Sequence, residues 1–170
     1  MMSSPTKSGR IPAHYVALAL GAVALALILG ALGFEYLGGY PPCEMCMWQR
    51  YPHYAAIVIG LGGGLAVLNG RAGSGAARMF AETAMVLVAI SGLIGVYHAG
   101  VEWHFWPGPT ACTGQAFQAS GALDLNARLV QCDVAAWRLF GISMAGYNAL
   151  ISLGTAGLAA ILLMRPKKAS

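Results

Sequence analysis

Charge is missing from four long stretches of this chain, and those gaps set the pattern of everything else. No Asp, Glu, Lys or Arg occurs in residues 11–34, 51–70, 83–101 or 139–164. Each gap is close to the roughly 20 residues that one helix needs to cross a bilayer. The pattern predicts four spans, over 13–35, 44–68, 79–99 and 140–164. Their links are unequal: a tight turn at 36–42, a short Gly-rich turn at 69–78 and a long segment over 102–138. The expected fold is all-α, a membrane four-helix bundle forming one domain over 1–170. Two outer loops join the spans, and the second carries a possible short surface helix within residues 115–129.

Small residues inside the spans suit close helix packing. Gly21, Gly30 and Gly33 offer this in the first span, and Gly60 and Gly64 stand in a GxxxG relation in the second. Gly62-Gly63-Gly64 does not read as a phosphate loop, because no strand precedes it. Glu82 is expected to be an interfacial carboxylate at the start of the third helix. Trp48, Trp103, Trp106 and Trp137 all fall where spans are expected to end, the depth that indole rings prefer.

Composition agrees with a membrane class. The 170 residues are 58% hydrophobic and 9% charged, against about 25% charged in soluble domains. Positive charge then orients the bundle, since Lys and Arg favour the cytoplasmic side. Lys7, Arg10, Arg71, Arg78, Arg165, Lys167 and Lys168 fall on one side, and only Arg50, Arg128 and Arg138 on the other. Both termini and the 69–78 turn are therefore expected inside, and 36–50 and 102–138 outside. The first apolar run is long for a signal peptide's core and is read as a retained span. A net charge of +4 reflects this sidedness and is no argument for nucleic acid.

All four cysteines, Cys43, Cys46, Cys112 and Cys132, fall on the outer side, where disulfides form. Pro41 and Pro42 suit a helix start, which puts Cys43 at or near a helix N-terminus, where a thiolate is favoured. Cys43, Cys46 and Arg50 then share one helix face. A four-thiolate zinc site would want a second close Cys pair, whereas Cys112 and Cys132 are far apart in sequence. Haem attachment would want His after Cys46, and Met47 stands there. A competing reading is a four-span protein whose cysteines form only structural disulfides. Against it, a bridge across Cys-x-x-Cys closes too small a loop to stabilise much, and a permanent cation at Arg50 calls for an anion, which the nearby thiolates would supply.

A redox dithiol at the membrane boundary can reach a lipid-soluble quinone, whose two-electron, two-proton reduction matches oxidation of two thiols. Arg50 is placed to stabilise the Cys46 thiolate and the quinone ring. His98, closing the third span after Tyr97, is a candidate to bond a quinone carbonyl or carry a proton. His14, His53 and His104 are read as interfacial histidines without a special role.

These residues resemble the bacterial disulfide bond formation protein B (DsbB) family. The resemblance rests on four spans, Cys43-x-x-Cys46-x-x-x-Arg50, Tyr97-His98, the second outer pair Cys112 and Cys132, and Trp137 to Met144 at the fourth span. It implies a dithiol:quinone oxidoreductase in the inner membrane with its cysteines on the periplasmic side. The implied acceptor is ubiquinone or menaquinone, bound beside Arg50 and His98, and the implied donor is a thioredoxin-like DsbA-type oxidase. By that likeness Cys112 and Cys132 form one disulfide, attacked by the donor at Cys112, and electrons pass to Cys43 and Cys46.

Overall fold

In a computed structural model, which describes residues 11–113 and 130–164, the charge-free stretches form four helices. They run over Ala13–Tyr36, Glu44–Leu68, Ser74–Glu102 and Met144–Met164, each long and apolar enough to cross a membrane. The protein is thus an all-α, multi-pass membrane bundle. The terminal tails and the surface helix expected within 115–129 lie outside the described residues.

Side-chain size decides which way each helix faces. Buried positions are mostly small: Ala17, Ala24, Ala56, Ala81, Ala84, Ala149, Ala156 and Ala159. Large apolar side chains such as Leu29, Val58, Leu93, Leu150 and Leu158 point outward. This inversion of a soluble core follows from the solvent, since lipid is as apolar as leucine and only close backbone approach gains contact between helices. The third helix packs against all three others.

Glycine makes the closest approach possible. A Cβ on Gly60 would lie 2.7 Å from the Ala17 carbonyl oxygen and 2.9 Å from the Gly21 Cα, and one on Gly21 would lie 2.7 Å from the Leu61 nitrogen. Gly64 sits against the Leu18 side chain. Gly30 and Gly33 do not serve this purpose, because nothing lies within 4 Å of a Cβ built on either. The second helix changes pitch where it meets the first. Its α-helical start, Glu44–Ile57, passes into a π turn at Val58–Gly62 before α-geometry resumes at Gly63–Leu68.

Two boundaries differ from the sequence reading. The third helix begins at Ser74, so Glu82 lies well inside it and forms an exposed i,i+4 pair with Arg78 at 2.7 Å. The fourth helix begins at Met144 rather than 140, after a minimal hairpin in which Arg138–Leu139 pairs with Ile142–Ser143. Its two-residue turn, Phe140-Gly141, has positive φ at both positions (50° and 82°), the twist that closes a tight antiparallel hairpin. An apolar tally extends the helix through these residues; the glycine ends it.

Because the Gly60 contact is with backbone atoms that cannot rotate away, Gly60→Ala should destabilise the bundle by about 1–3 kcal/mol. Gly33→Ala, in open space, should be neutral or slightly stabilising. Thermal unfolding of the detergent-solubilised variants, followed by helical circular dichroism, checks both.

Candidate functional site at the cysteine end of the bundle

Cys43 caps the second helix. Its backbone is extended, and its Sγ accepts a hydrogen bond from the Cys46 backbone N–H at 3.1 Å. Cys43 and Cys46 are joined as a disulfide, with Cα atoms 5.0 Å apart, and Cys112 and Cys132 form a second, with Cα atoms 5.4 Å apart. The first described part of the long loop is held to the third helix by aromatic packing. Trp106 Nε1 donates to the Tyr97 carbonyl at 2.9 Å, its ring covers Gly100, and Tyr97 Oη donates to the Pro107 carbonyl at 3.1 Å. This fold-back returns the chain to Cys112, whose carbonyl accepts from Cys132 N–H at 2.7 Å.

The two disulfides consequently meet. Cys43, Met45, Val101 and Cys132 form one buried cluster, with Cys46, Cys112 and Val130 packed against it. Cys132 is fully buried, whereas Cys112 is partly exposed. Sequence separation gave no hint of this proximity.

His98 stands beside the cluster, and its tautomer can be read from its neighbours. Gln49 Nε2 donates to the Met45 carbonyl at 3.2 Å, which fixes the amide orientation; the same nitrogen lies 2.8 Å from His98 Nδ1. Nδ1 must therefore accept, and a neutral His98 carries its proton on Nε2. That nitrogen is 3.6 Å from Cys43 Sγ and 3.7 Å from Glu102 Oε1. The ligand atoms of Cys43, Cys46 and His98 all lie within 4.8 Å of one another. With the disulfide closed, the sulfurs are not thiolate donors for a metal.

Arg50 takes a different partner from the one expected. Its Nη1 donates to Glu35 Oε2 of the first helix, in a pair that is mostly buried. The anion offsetting this cation is therefore a carboxylate, and the thiolate charge that the sequence reading invoked is not needed for it. His53 also departs from expectation. Far from an interfacial position, it is only 3% exposed, inside the bundle, with Nε2 2.9 Å from Asn148 Oδ1 and 3.4 Å from Ser152 Oγ. His104 is exposed and His14 half-buried, as peripheral histidines should be.

A connected polar network joins three helices through Asn148. Its Nδ2 donates to Gln49 Oε1 at 2.8 Å and to the Ser91 carbonyl at 3.2 Å, while its Oδ1 accepts from Ser152 Oγ at 2.9 Å. Ser91 Oγ in turn donates to the Gln49 carbonyl at 2.8 Å. None of Glu35, Gln49, Ser91, Glu102, Asn148 or Ser152 was singled out from sequence as a site residue. Gln49, Ser91, Asn148 and Ser152 carried the available signal, polar side chains within expected spans.

Between the disulfides and this network lies a cavity of about 380 Å³. Cys46, Gln49, Arg50, His53, His98 and Asn148 form part of its wall, with Ala26, Leu27, Ala31 and Ile151 supplying an apolar flank and Trp137 also lining it. The structure thus brings Cys43, Cys46, Cys112, Cys132, Arg50 and His98 into one region.

Taken together, fold and site define a membrane-embedded thiol–disulfide oxidoreductase: four spans, two adjoining disulfides and a cavity that touches one of them. The chain belongs to the disulfide bond formation protein DsbB family, whose model matches residues 13–162. Membership gives it a thiol oxidase role in disulfide bond formation. It is similar to disulfide bond formation protein B of Azoarcus sp. (strain BH72), with 27% identity over 153 residues covering 86% of this chain and 89% of the relative. It is also similar to uncharacterized protein RP370 of Rickettsia prowazekii (strain Madrid E), with 23% identity over 167 residues and 91% of each chain covered. No solved structure matches it significantly.

Glu35→Gln should leave the Arg50 charge without its anion and lower stability, at or below the roughly 3–5 kcal/mol seen when fully buried pairs are broken. The double variant Glu35→Gln/Arg50→Gln should recover most of that loss. Unfolding of the four proteins in a double-mutant cycle measures the coupling; additive losses would show the two side chains to be independent.

Proposed function

We propose that the protein is a quinone-dependent thiol oxidase of the bacterial inner membrane, with its disulfides on the periplasmic side, where it reoxidises a thioredoxin-like DsbA-type donor. The observation that carries this reading is the packing of both disulfides into one cluster whose Cys43–Cys46 member lines the cavity.

Electron entry follows from exposure. A donor thiolate attacks the partly exposed Cys112 Sγ, forming a mixed disulfide, breaking the Cys112–Cys132 bond and releasing Cys132 as thiolate. Cys132 lies against Cys43. Its attack on Cys43 Sγ forms a Cys132–Cys43 bond and releases the Cys46 thiolate. The donor's second thiolate then attacks the donor's own sulfur in the mixed disulfide, so the donor leaves oxidised and Cys112 is freed. Cys112 finally attacks Cys132, restores the Cys112–Cys132 disulfide and frees Cys43. Two electrons have moved from the donor dithiol to Cys43 and Cys46. Direction depends on potential differences, in which about 30 mV is worth 1.4 kcal/mol for such a two-electron couple.

The cavity fits ubiquinone or menaquinone as the terminal acceptor. Its volume lies within the roughly 300–1,000 Å³ of ordinary ligand pockets, and it combines an apolar flank with a polar wall beside Cys46. Such a quinone, when bound, accepts two electrons and two protons. Arg50 would hold the ring and stabilise the Cys46 thiolate, with four N–H donors remaining beyond the one given to Glu35. His98 would present Nε2–H to the Cys43 sulfur, stabilising the negative charge that appears there when Cys112 attacks Cys132 and frees Cys43.

Purified protein given a reduced thioredoxin-like donor should reduce added quinone, and Cys43→Ser or Cys46→Ser should abolish this. Arg50→Gln should raise the KM for quinone well beyond its effect on the donor's KM. Undiminished turnover in either cysteine variant would overturn the reading, as would failure of the native protein to reduce quinone with any such donor.

A further inference from the structure

Cys43, Cys46 and His98 are spaced like the ligands of a metal site, a role that conflicts with thiol exchange. Both sulfurs and a ring nitrogen of His98 lie within 4.8 Å of one another, and all three residues line the cavity. Glu102 Oε1, 3.7 Å from His98 Nε2, is placed as a fourth donor. While the bridge is closed its sulfurs are joined to each other, but each cycle of the relay opens it and leaves two thiols or thiolates beside an imidazole. Thiolate and imidazole are the donors zinc prefers, and an ion held between the sulfurs would stop the bridge from re-forming.

The far side of the His98 ring decides the outcome. The nitrogen nearest Cys43 is Nε2, at 3.6 Å, so a metal held there needs the Nε2 lone pair and a proton on Nδ1. A ligating histidine gives that second proton to an acceptor, such as a carboxylate, a carbonyl or water. His98 Nδ1 instead meets the side-chain nitrogen of Gln49 at 2.8 Å, which is a donor. The buried Gln49 amide is not free to reverse. Its Nε2 donates to the Met45 carbonyl at 3.2 Å, and its Oε1 accepts from Asn148 Nδ2 at 2.8 Å. Asn148 Nδ2 is held in turn by the Ser91 carbonyl at 3.2 Å. Reversing both amides would set an oxygen against each of those backbone carbonyls, neither of which has a proton to offer. Nδ1 therefore stays an acceptor, and Nε2 turns an N–H towards the sulfur where a metal needs a lone pair.

We propose that Gln49 is a positioning residue that fixes His98 as a hydrogen-bond donor to Cys43 and thereby keeps the opened Cys43–Cys46 pair from capturing a metal ion through His98. The assignment rests on the redox reading above for the opening of the bridge, and adds to it a residue and a specificity. A thiolate at Cys43 gains a charge-assisted hydrogen bond from Nε2–H, while zinc meets a proton in place of its third ligand.

The tautomer is read in oxidised, full-length protein in detergent, labelled with 15N-histidine, with the His98 signals assigned by their loss in His98→Phe. Native protein should show a protonated Nε2 and an unprotonated Nδ1. Gln49→Glu, which exchanges the amide donor for an acceptor, should place a proton on Nδ1. Zinc is then titrated, at one pH and without oxygen, into the same proteins reduced with a phosphine. Gln49→Glu should bind zinc roughly 10- to 100-fold more tightly than native protein, the range that such a partner of a ligating histidine commands. Adding His98→Phe to Gln49→Glu should remove that gain, whereas His98→Phe alone should keep the native affinity. Cys112 and Cys132 are present throughout, so these differences report on His98. A native His98 protonated on Nδ1, or a native zinc affinity that drops in His98→Phe, overturns the proposal, and neither measurement needs Gln49→Glu to fold. Equal zinc affinity in native and Gln49→Glu proteins overturns it too. Failure of native protein to reduce quinone would overturn the redox reading and leave the tautomer, measured without turnover, unaffected.

Discussion

The side-chain amide of Asn148 ties the cysteine-bearing half of the bundle together. In a membrane interior a polar group without a partner has no water to fall back on, and several such groups must therefore satisfy one another. Asn148 does this for the second, third and fourth helices at once, through Gln49, Ser91, His53 and Ser152. Interhelical hydrogen bonds of this kind are worth only about 1 kcal/mol each in membranes. Their greater effect is on orientation, since one amide fixed by a backbone carbonyl sets the donor and acceptor faces of every neighbour.

That directionality reaches both histidines. Gln49, held by Met45 and Asn148, leaves the proton of a neutral His98 on Nε2, the nitrogen near Cys43 and Glu102, while Asn148 places that of a neutral His53 on Nε2 as well. The two rings are thus held in opposite senses, His98 by its acceptor nitrogen against Gln49 and His53 by its donor nitrogen against Asn148. A network built on neutral groups also avoids burying charge, and the cation present at this level, Arg50, is offset separately by Glu35.

Packing of small residues lower in the bundle supports this arrangement. Gly21 and Gly60 let the first and second helices touch, whereas Gly30 leaves a wall of the cavity open where a larger residue would fill it. The same residue type closes one part of the interface and opens another. At the cysteine end, Trp106 folds back over Gly100 and Tyr97 so that the chain returns Cys112 to Cys132, and Cys132 to Cys43.

Much of the fold was legible in the sequence because bilayer thickness imposes a length on apolar runs, and charge-free gaps of that length leave little choice. The Cys43–Arg50 motif was equally legible, since helix periodicity puts its members on one face and the prolines mark the start. The short hairpin before Met144 was not, because Leu139 to Ser143 are as apolar as the span they precede. The ion pair of Arg50 with Glu35 and the burial of His53 were also out of reach, and the meeting of the two disulfides was implied by the family resemblance alone. Each joins residues from different helices, and helix periodicity fixes which residues share a face but not which face turns towards which neighbour. The sequence by itself determined four spans and a thiol pair at a helix start. Only the tertiary structure, through close glycine contacts and the amide network, decided what those thiols lie against.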